Sequence, residues 1–387
     1  MLFLVTLLSL VTACKTPTDS QTLRPRQLRD VPANKLAFSF QADIQPPTNL
    51  SSDEAKSLPA IQQDFETKRP NDALLRTVAS PDGARALALY GTVDESTTTF
   101  RIDLYSSDGN FIRNVTPPTL AVVFQDSVAW SADSSMFAFV GRKSAAAQPS
   151  PTPLDLQPEP ILPSASPVPT ATIAPVFAPL AVFNTEQVYV CNRDGYDLRP
   201  LTTRDGLIYF GLMWAPDNHA LAALACRESE WDARERENKT AAGRPRVIGI
   251  DGVERLLDDQ LAEAPPVWSP DSSKIATAFG QEVGIYDAAN KAPTQARIKL
   301  TETLLTASAS YEEKLPGKKV ESNKPEQQTA NPNAFHASFN PIVRLEWSTP
   351  EKMYLETAFI RLFEPPVHTW SRWHLVTFSP QAAILKR

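Results

Sequence analysis

Glycine is scarce, with 13 copies in 387 residues, roughly 3% against a usual ~7%. Neither GxxxxGK[ST] nor GxGxxG occurs, which argues against a loop that cradles phosphate at a helix N-terminus. Histidine is rarer, at four copies, and cysteine rarer again, at three. No CxxC and no Cys/His cluster has the spacing of a zinc site, so neither a metal nor a cofactor is expected. A basic surplus is missing too. The formal charge of −6 argues against a nucleic-acid partner, which would require a cationic face. GxSxG is absent, and with it the strained turn that exposes a hydrolase serine. No apolar run reaches the ~20 residues that cross a bilayer.

The longest apolar run is MLFLVTLLSLVTAC, about a dozen residues, the length of a signal-peptide core. Its end, Val11-Thr12-Ala13-Cys14, resembles the bacterial lipobox, in which small side chains precede the cysteine that takes the lipid. The chain departs from that pattern in having no Lys or Arg ahead of the apolar core. The resemblance implies a signal peptide over 1–13, lipidation of Cys14, and a flexible tether over 14–34. It also implies an extracytoplasmic protein held to a bacterial membrane by lipid. A buried N-terminal helix or strand is the plainer alternative. Cys191 and Cys226 each end a predicted strand. In an exported protein they form either a disulfide or two separate buried thiols.

Proline is abundant, at 35 copies, and several mark one recurring corner. WSPDSSKIATAF at Trp268 has counterparts in SPDGARALALY at Ser80, WSADSSMFAFV at Trp130, WAPDNHALAALA at Trp214 and WSTPEKMYLETAF at Trp347. Proline presets φ for a type I turn, while Asp and Ser bond nearby backbone N–H groups. The apolar run that follows reads as a buried strand. A second module trails each corner: VYVCNRDGYDLRPLT from Val188 is strand, Asp-Gly turn, strand, and IDLYSSDG from Ile102 and VIGIDG from Val247 repeat it. In the fourth unit the strand is VGIYD from Val283, without a glycine in its turn. Each unit is therefore four antiparallel strands. Corner spacings of 51 and 54 residues, with 84 and 79 where insertions intervene, indicate an all-β propeller. Five units are recognisable. The segment Lys35–Phe40 supplies either part of a degenerate sixth blade or a strand that closes the ring beside the last one.

WSPDSSKIA and VYVCNRDGYDLRPLT resemble the TolB-type propeller repeat, also found in prolyl-oligopeptidase-like enzymes. The match covers about 74–300 well and 342–387 loosely. It implies the fold and raises the expectation of protein binding at the cell envelope. The repeats consume the chain, leaving no hydrolase-sized region after them.

Three insertions break the repeat: a proline-rich stretch at about 144–181, a charged stretch at about 227–245 that could form a short helix, and about 301–338, which reads as a solvated loop. In a four-stranded meander the first-to-second and third-to-fourth turns lie at one end. The insertions all fall at the other. That face is the expected interaction surface, for an envelope protein, a peptide or a glycan, with the protein a monomer. The evenly recurring Asp82, Asp133, Asp217 and Asp271 read as turn formers and the repeat Trp residues as blade packing. No residue is assigned a catalytic role. Trp231 and Trp370 lie outside the repeat positions and are candidate ligand-face residues, with His368 beside Trp370. The competing function is a propeller-type hydrolase or lyase with a site at the central channel.

Overall fold

The computed structural model describes residues 27–48, 58–92, 100–143, 186–289, 294–314, 338–361 and 370–379. Strands dominate, and among the described residues they form five blades built on four antiparallel strands, the fifth extended by the two-residue strand Ser338–Phe339, which also pairs with Lys352–Arg361. The first blade runs Asp72–Ala79, Arg85–Thr92, Phe100–Ser106 and Phe111–Asn114. The second runs Ala129–Trp130, Met136–Lys143, Glu186–Asn192 and Arg199–Pro200. A short strand, Leu120–Val122, pairs with strands of both and joins them into one sheet. The third comprises Leu207–Trp214, Ala220–Arg227, Arg244–Gly249 and Glu254–Leu256. The fourth comprises Val267–Trp268, Lys274–Phe279, Glu282–Asp287 and Gln295–Lys299.

The fifth blade is completed from the other end of the chain. Ile342–Thr349, Lys352–Arg361 and Trp370–Ser379 supply three strands, and Ala37–Ile44 pairs antiparallel with Trp370–Ser379 as the fourth. The N-terminal strand thus closes the last blade instead of founding a sixth.

Blades stack because their middle strands are apolar on both faces. Ala223 and Ala225 pack toward the second blade, while Ala222 and Leu224, in the same strand, pack toward the fourth. One cluster joins the first blade to the second through Leu104, Phe137 and Phe139, and another joins the fourth to the fifth through Ile285, Leu345 and Met353. The free face of the first blade is covered by helix α1, Pro59–Lys68, whose Ile61 and Phe65 sit against Ala86, Ala88 and Tyr105.

Three corners share one hydrogen-bonding scheme. The Ser80, Ser131 and Ser269 hydroxyls donate to Asp82, Asp133 and Asp271 at 2.6, 2.7 and 2.6 Å. Corner residues Ser134, Asn218 and Ser272 take left-handed φ of 61°, 62° and 57°, where Gly83 stands in the first blade. Their side chains then accept from the next corner back. Asp82 N–H donates to Ser134 Oγ at 3.0 Å and Asp217 N–H to Ser272 Oγ at 3.0 Å. This end of the disc is stitched corner to corner.

Two segments differ from expectation. The stretch at 301–338 was expected to be a solvated loop, but Thr301–Lys314 is helix α3 in this third insertion. Leu304 and Ala307, three residues apart, set an apolar stripe against the body, and Ser308, four residues after Leu304, is buried beside them. The tether expected over 14–34 also ends early. Leu28, Val31 and Ala33 are buried, and the Ala33 N–H donates to Asp287, which is itself ion-paired with buried Lys274 at 2.7 Å. Cys191 and Cys226 are two buried free thiols, and burial pushes both up to about 12. Among the described residues no helix is long and apolar enough to cross a membrane.

Candidate functional site

The first strands of neighbouring blades touch one another, the third blade's meeting both the second's and the fourth's, so these strands are innermost. Register shifts interrupt three of them, between Leu74 and Arg76, Phe210 and Met213, and Ile342 and Arg344. A bulge re-aims side chains, and each one exposes an apolar residue. Leu75 is 40% exposed, Met213 40% and Val343 45%. Among the described residues no group of three or more His, Cys, Asp and Glu side chains is arranged to hold a metal.

Opposite the stitched corners, the connections are long. The second insertion folds in part as α2, Glu228–Arg236, directly after the strand Ala220–Arg227. Trp231 fastens it, with its ring centroid 5.2 Å from that of Phe124 and 5.5 Å from that of Phe210. Phe210 belongs to an innermost strand, so α2 leans inward over the second and third blades. Its outer side is held by charge. Arg244 grips Glu230 through both terminal nitrogens at 2.8 Å and bonds Asp259 through Nε at 3.0 Å. The Arg244 bond holds the Glu230 carboxyl down at about 2, against the opposing effect of burial.

Beside this anchor lies a cavity of about 490 Å³ lined by Arg204, Asp205, Leu207, Ala225, Arg227, Arg244, Arg246, Leu256 and Asp259. Strand register explains the cluster. Leu207 pairs with Arg227, Ala225 with Arg244 and Arg246 with Leu256, and alternate residues share a face. Arg244 and Arg246 therefore project to the same side as Arg227. That is also the side on which Ala223 and Ala225 face the second blade. Glu254 takes both Arg246 and Arg204, the latter at 3.2 Å, and accepts from the Tyr209 hydroxyl at 3.2 Å.

A second cavity, about 710 Å³, opens between the N-terminal strand and α3, lined by Phe40, Asp43, Thr303 and Thr306 among others. Its rim carries a latch: Arg372 binds both oxygens of Asp43 at 2.8 and 2.9 Å and donates to Ser308 at 2.8 Å.

Of the residues singled out from sequence, Trp231 sits on this face, partly buried as the wedge under α2. Trp370 opens the third strand of the fifth blade, opposite Phe359. His368 and Cys14 lie outside the described residues, as does the insertion at about 144–181. His374, on the other side of Trp373, is fully buried and belongs to the latch. The arginine cluster was missed. Its one sequence signal was the alternation in Arg244-Pro245-Arg246, which in a strand puts two guanidinium groups on one face.

No family model and no curated protein matches the chain. Among solved structures, it is similar to a protein of Agrobacterium tumefaciens assigned as TolB, at 11% identity and TM-score 0.36, over 79% of this chain and 90% of that one. It is similar to an oligogalacturonate lyase of Vibrio parahaemolyticus at 10% identity and TM-score 0.37, over 79% and 66%. A prolyl endopeptidase matches at 9% identity and TM-score 0.41, over 91% of this chain but 46% of its own. The chain thus spans under half of that endopeptidase and about two thirds of the lyase. At these scores the likenesses carry nothing about chemistry.

Proposed function

We propose that this protein is a non-catalytic binding scaffold outside the cytoplasm, carried on lipid at Cys14, that engages an envelope protein, peptide or glycan through the face bearing α2 and α3. The observation that carries this reading is the asymmetry of the two ends. One end is closed by corner-to-corner hydrogen bonds. The other holds both packed insertions and the cavities beside them. The innermost strands add Leu75, Met213 and Val343, side chains that carry no proton and suit contact better than acid–base work.

The test is crosslinking in intact cells followed by capture of the protein, with the parent chain and a variant lacking residues 148–176. A partner captured by the parent and weakened or lost in the variant supports the reading; the same partner captured equally by both refutes it for that insertion. Cys14→Ser should release the protein from the membrane fraction. Unchanged fractionation sinks the lipid anchor.

A further inference from the structure

The arginine cavity between the second and third blades carries more than a general role in contact. Its wall holds four guanidinium groups, from Arg204, Arg227, Arg244 and Arg246, with Asp205 and Asp259 beside them and Glu230 and Glu254 bonded to three of the four. This concentration stands out in a chain of net charge −6. Arg244 is fully engaged by Glu230 and Asp259. The others are not. Arg204 and Arg246 share the single carboxylate of Glu254. Arg246 is only 6% exposed, and its Nε–H has no acceptor among the described residues. Arg227 is exposed and forms no close salt bridge among the described residues, although its charge helps to hold the nearby Glu230 carboxyl down. A buried donor without an acceptor is costly unless a ligand supplies one, and a guanidinium fork fits a carboxylate through two parallel bonds.

The remaining wall identifies the class of ligand. Leu207, Ala225 and the half-exposed Leu256 form an aliphatic surface, and none of the described residues lining the cavity is aromatic. Sugar faces are gripped best by aromatic platforms, and the described wall offers none. Aliphatic surface beside unspent arginine suits a peptide in which a carboxylate neighbours an aliphatic side chain. We infer that this cavity is the docking site for an acidic peptide segment of the partner, its carboxylate held by Arg227 and Arg246 and its aliphatic side chain set against Leu207 and Leu256. This rests on the scaffold reading above and names the partner's chemistry at that same face.

The probe is a fluorescein-labelled peptide, Gly-Gly-Glu-Leu with a free C-terminus, titrated against the purified protein at low and at 0.5 M salt. A Gly-Gly-Gln-Leu amide and an oligomer of glucuronic acid serve as comparisons. Saturable binding of the acidic peptide is expected, weakened by salt and weakened about tenfold by Arg227→Ala, the loss of one charge-assisted contact. Arg227 is exposed, and an unchanged melting temperature in the variant separates lost binding from lost folding. Arg227→Lys should recover part of the affinity. No saturable binding, equal binding of the amide, or indifference to both Arg227→Ala and Arg204→Ala overturns the assignment. Preference for the uronate oligomer also overturns it, in favour of an anionic glycan. Capture of a cellular partner that survives Arg227→Ala and Arg204→Ala but not removal of 148–176 removes this site while leaving the scaffold reading intact.

Discussion

The indole N–H of Trp214 donates to the carbonyl of Ala129 across 3.0 Å, tying the innermost strand of the third blade to that of the second. The same bond recurs around the disc. Trp130 donates to Val78 at 3.0 Å and Trp268 to Met213 at 3.1 Å, each acceptor lying just before the matching position of the preceding blade. Trp347 breaks the series by donating to Pro350 in its own corner at 3.1 Å. Trp214→Phe keeps most of the ring packing and removes only the donor, so it should cost about 1–2 kcal/mol. In a double-mutant cycle with a substitution in the second blade, Trp214→Phe should show coupling, whereas Trp347→Phe paired with one in the fourth should not. Denaturant unfolding measures both, and a Trp214→Phe protein as stable as the parent would refute the staple.

Asp271 accepts from the Ser269 and Ser273 hydroxyls at 2.6 and 2.8 Å and from the Ser273 N–H at 3.1 Å. Burial pushes its carboxyl up, but these bonds outweigh it and hold the group below its usual range. A carboxylate with a lowered folded pKa stabilises fully above its unfolded value, and loses that contribution as pH falls through the folded one. Asp271→Ala should therefore cost about 1–2 kcal/mol at pH 7, and the deficit should shrink below about pH 4. A deficit that is constant with pH would show that the carboxylate charge plays no part.

The N-terminal strand is fastened at its far end by Arg372, which is 4% exposed and grips both oxygens of Asp43. Removing one member of such a pair strands the other charge in a dry site, at a cost of about 3 kcal/mol. Asp43→Ala should lower stability by that order and speed amide exchange across Ala37–Ile44 more than across the fourth blade. Uniform exchange across both would mean that the strand is held by its ladder alone.

The repeat was legible because one physical demand, a tight corner ahead of a strand buried on both faces, recurs at nearly fixed spacing. Trp130, Trp214 and Trp268 and their aspartates announce it without tertiary knowledge. The elements outside the repeat were less legible, for separate reasons. Residues Ala37–Ile44 alternate as a strand, but their partner lies more than 300 positions away, and only register identifies it. Helix α1 had a signal that went unread, Pro59 in its first turn with Ile61 and Phe65 one turn apart. In α3, the stripe through Leu304 and Ala307 was masked by the charged residues that follow it. The arginine cavity needs residues from all four strands of the third blade and the connections on either side to meet, which no single window of sequence contains.

His374 should make the protein acid-sensitive. It is fully buried, with Nδ1 accepting from the Asp43 N–H at 3.3 Å and Nε2 lying 2.9 Å from the Thr357 hydroxyl. An accepting Nδ1 puts the ring proton on Nε2, where it donates to Thr357. Burial first, and then the charge of Arg372, lower its pKa to about 4, against the opposing pull of Asp43. Between about pH 6.5 and 4 the unfolded chain therefore takes up a proton that the folded one refuses, so stability falls as the pH is lowered through that window. The loss should be on the order of 3 kcal/mol, at ~1.4 kcal/mol for each tenfold difference in proton affinity. Denaturant unfolding from pH 7.5 to pH 4 should show this slope in the parent and a flatter one in His374→Gln. Protonation would also cost the Asp43 N–H its acceptor, so exchange at Ala37–Ile44 should quicken at the same pH. Identical slopes in parent and variant would mean that the acid sensitivity lies elsewhere.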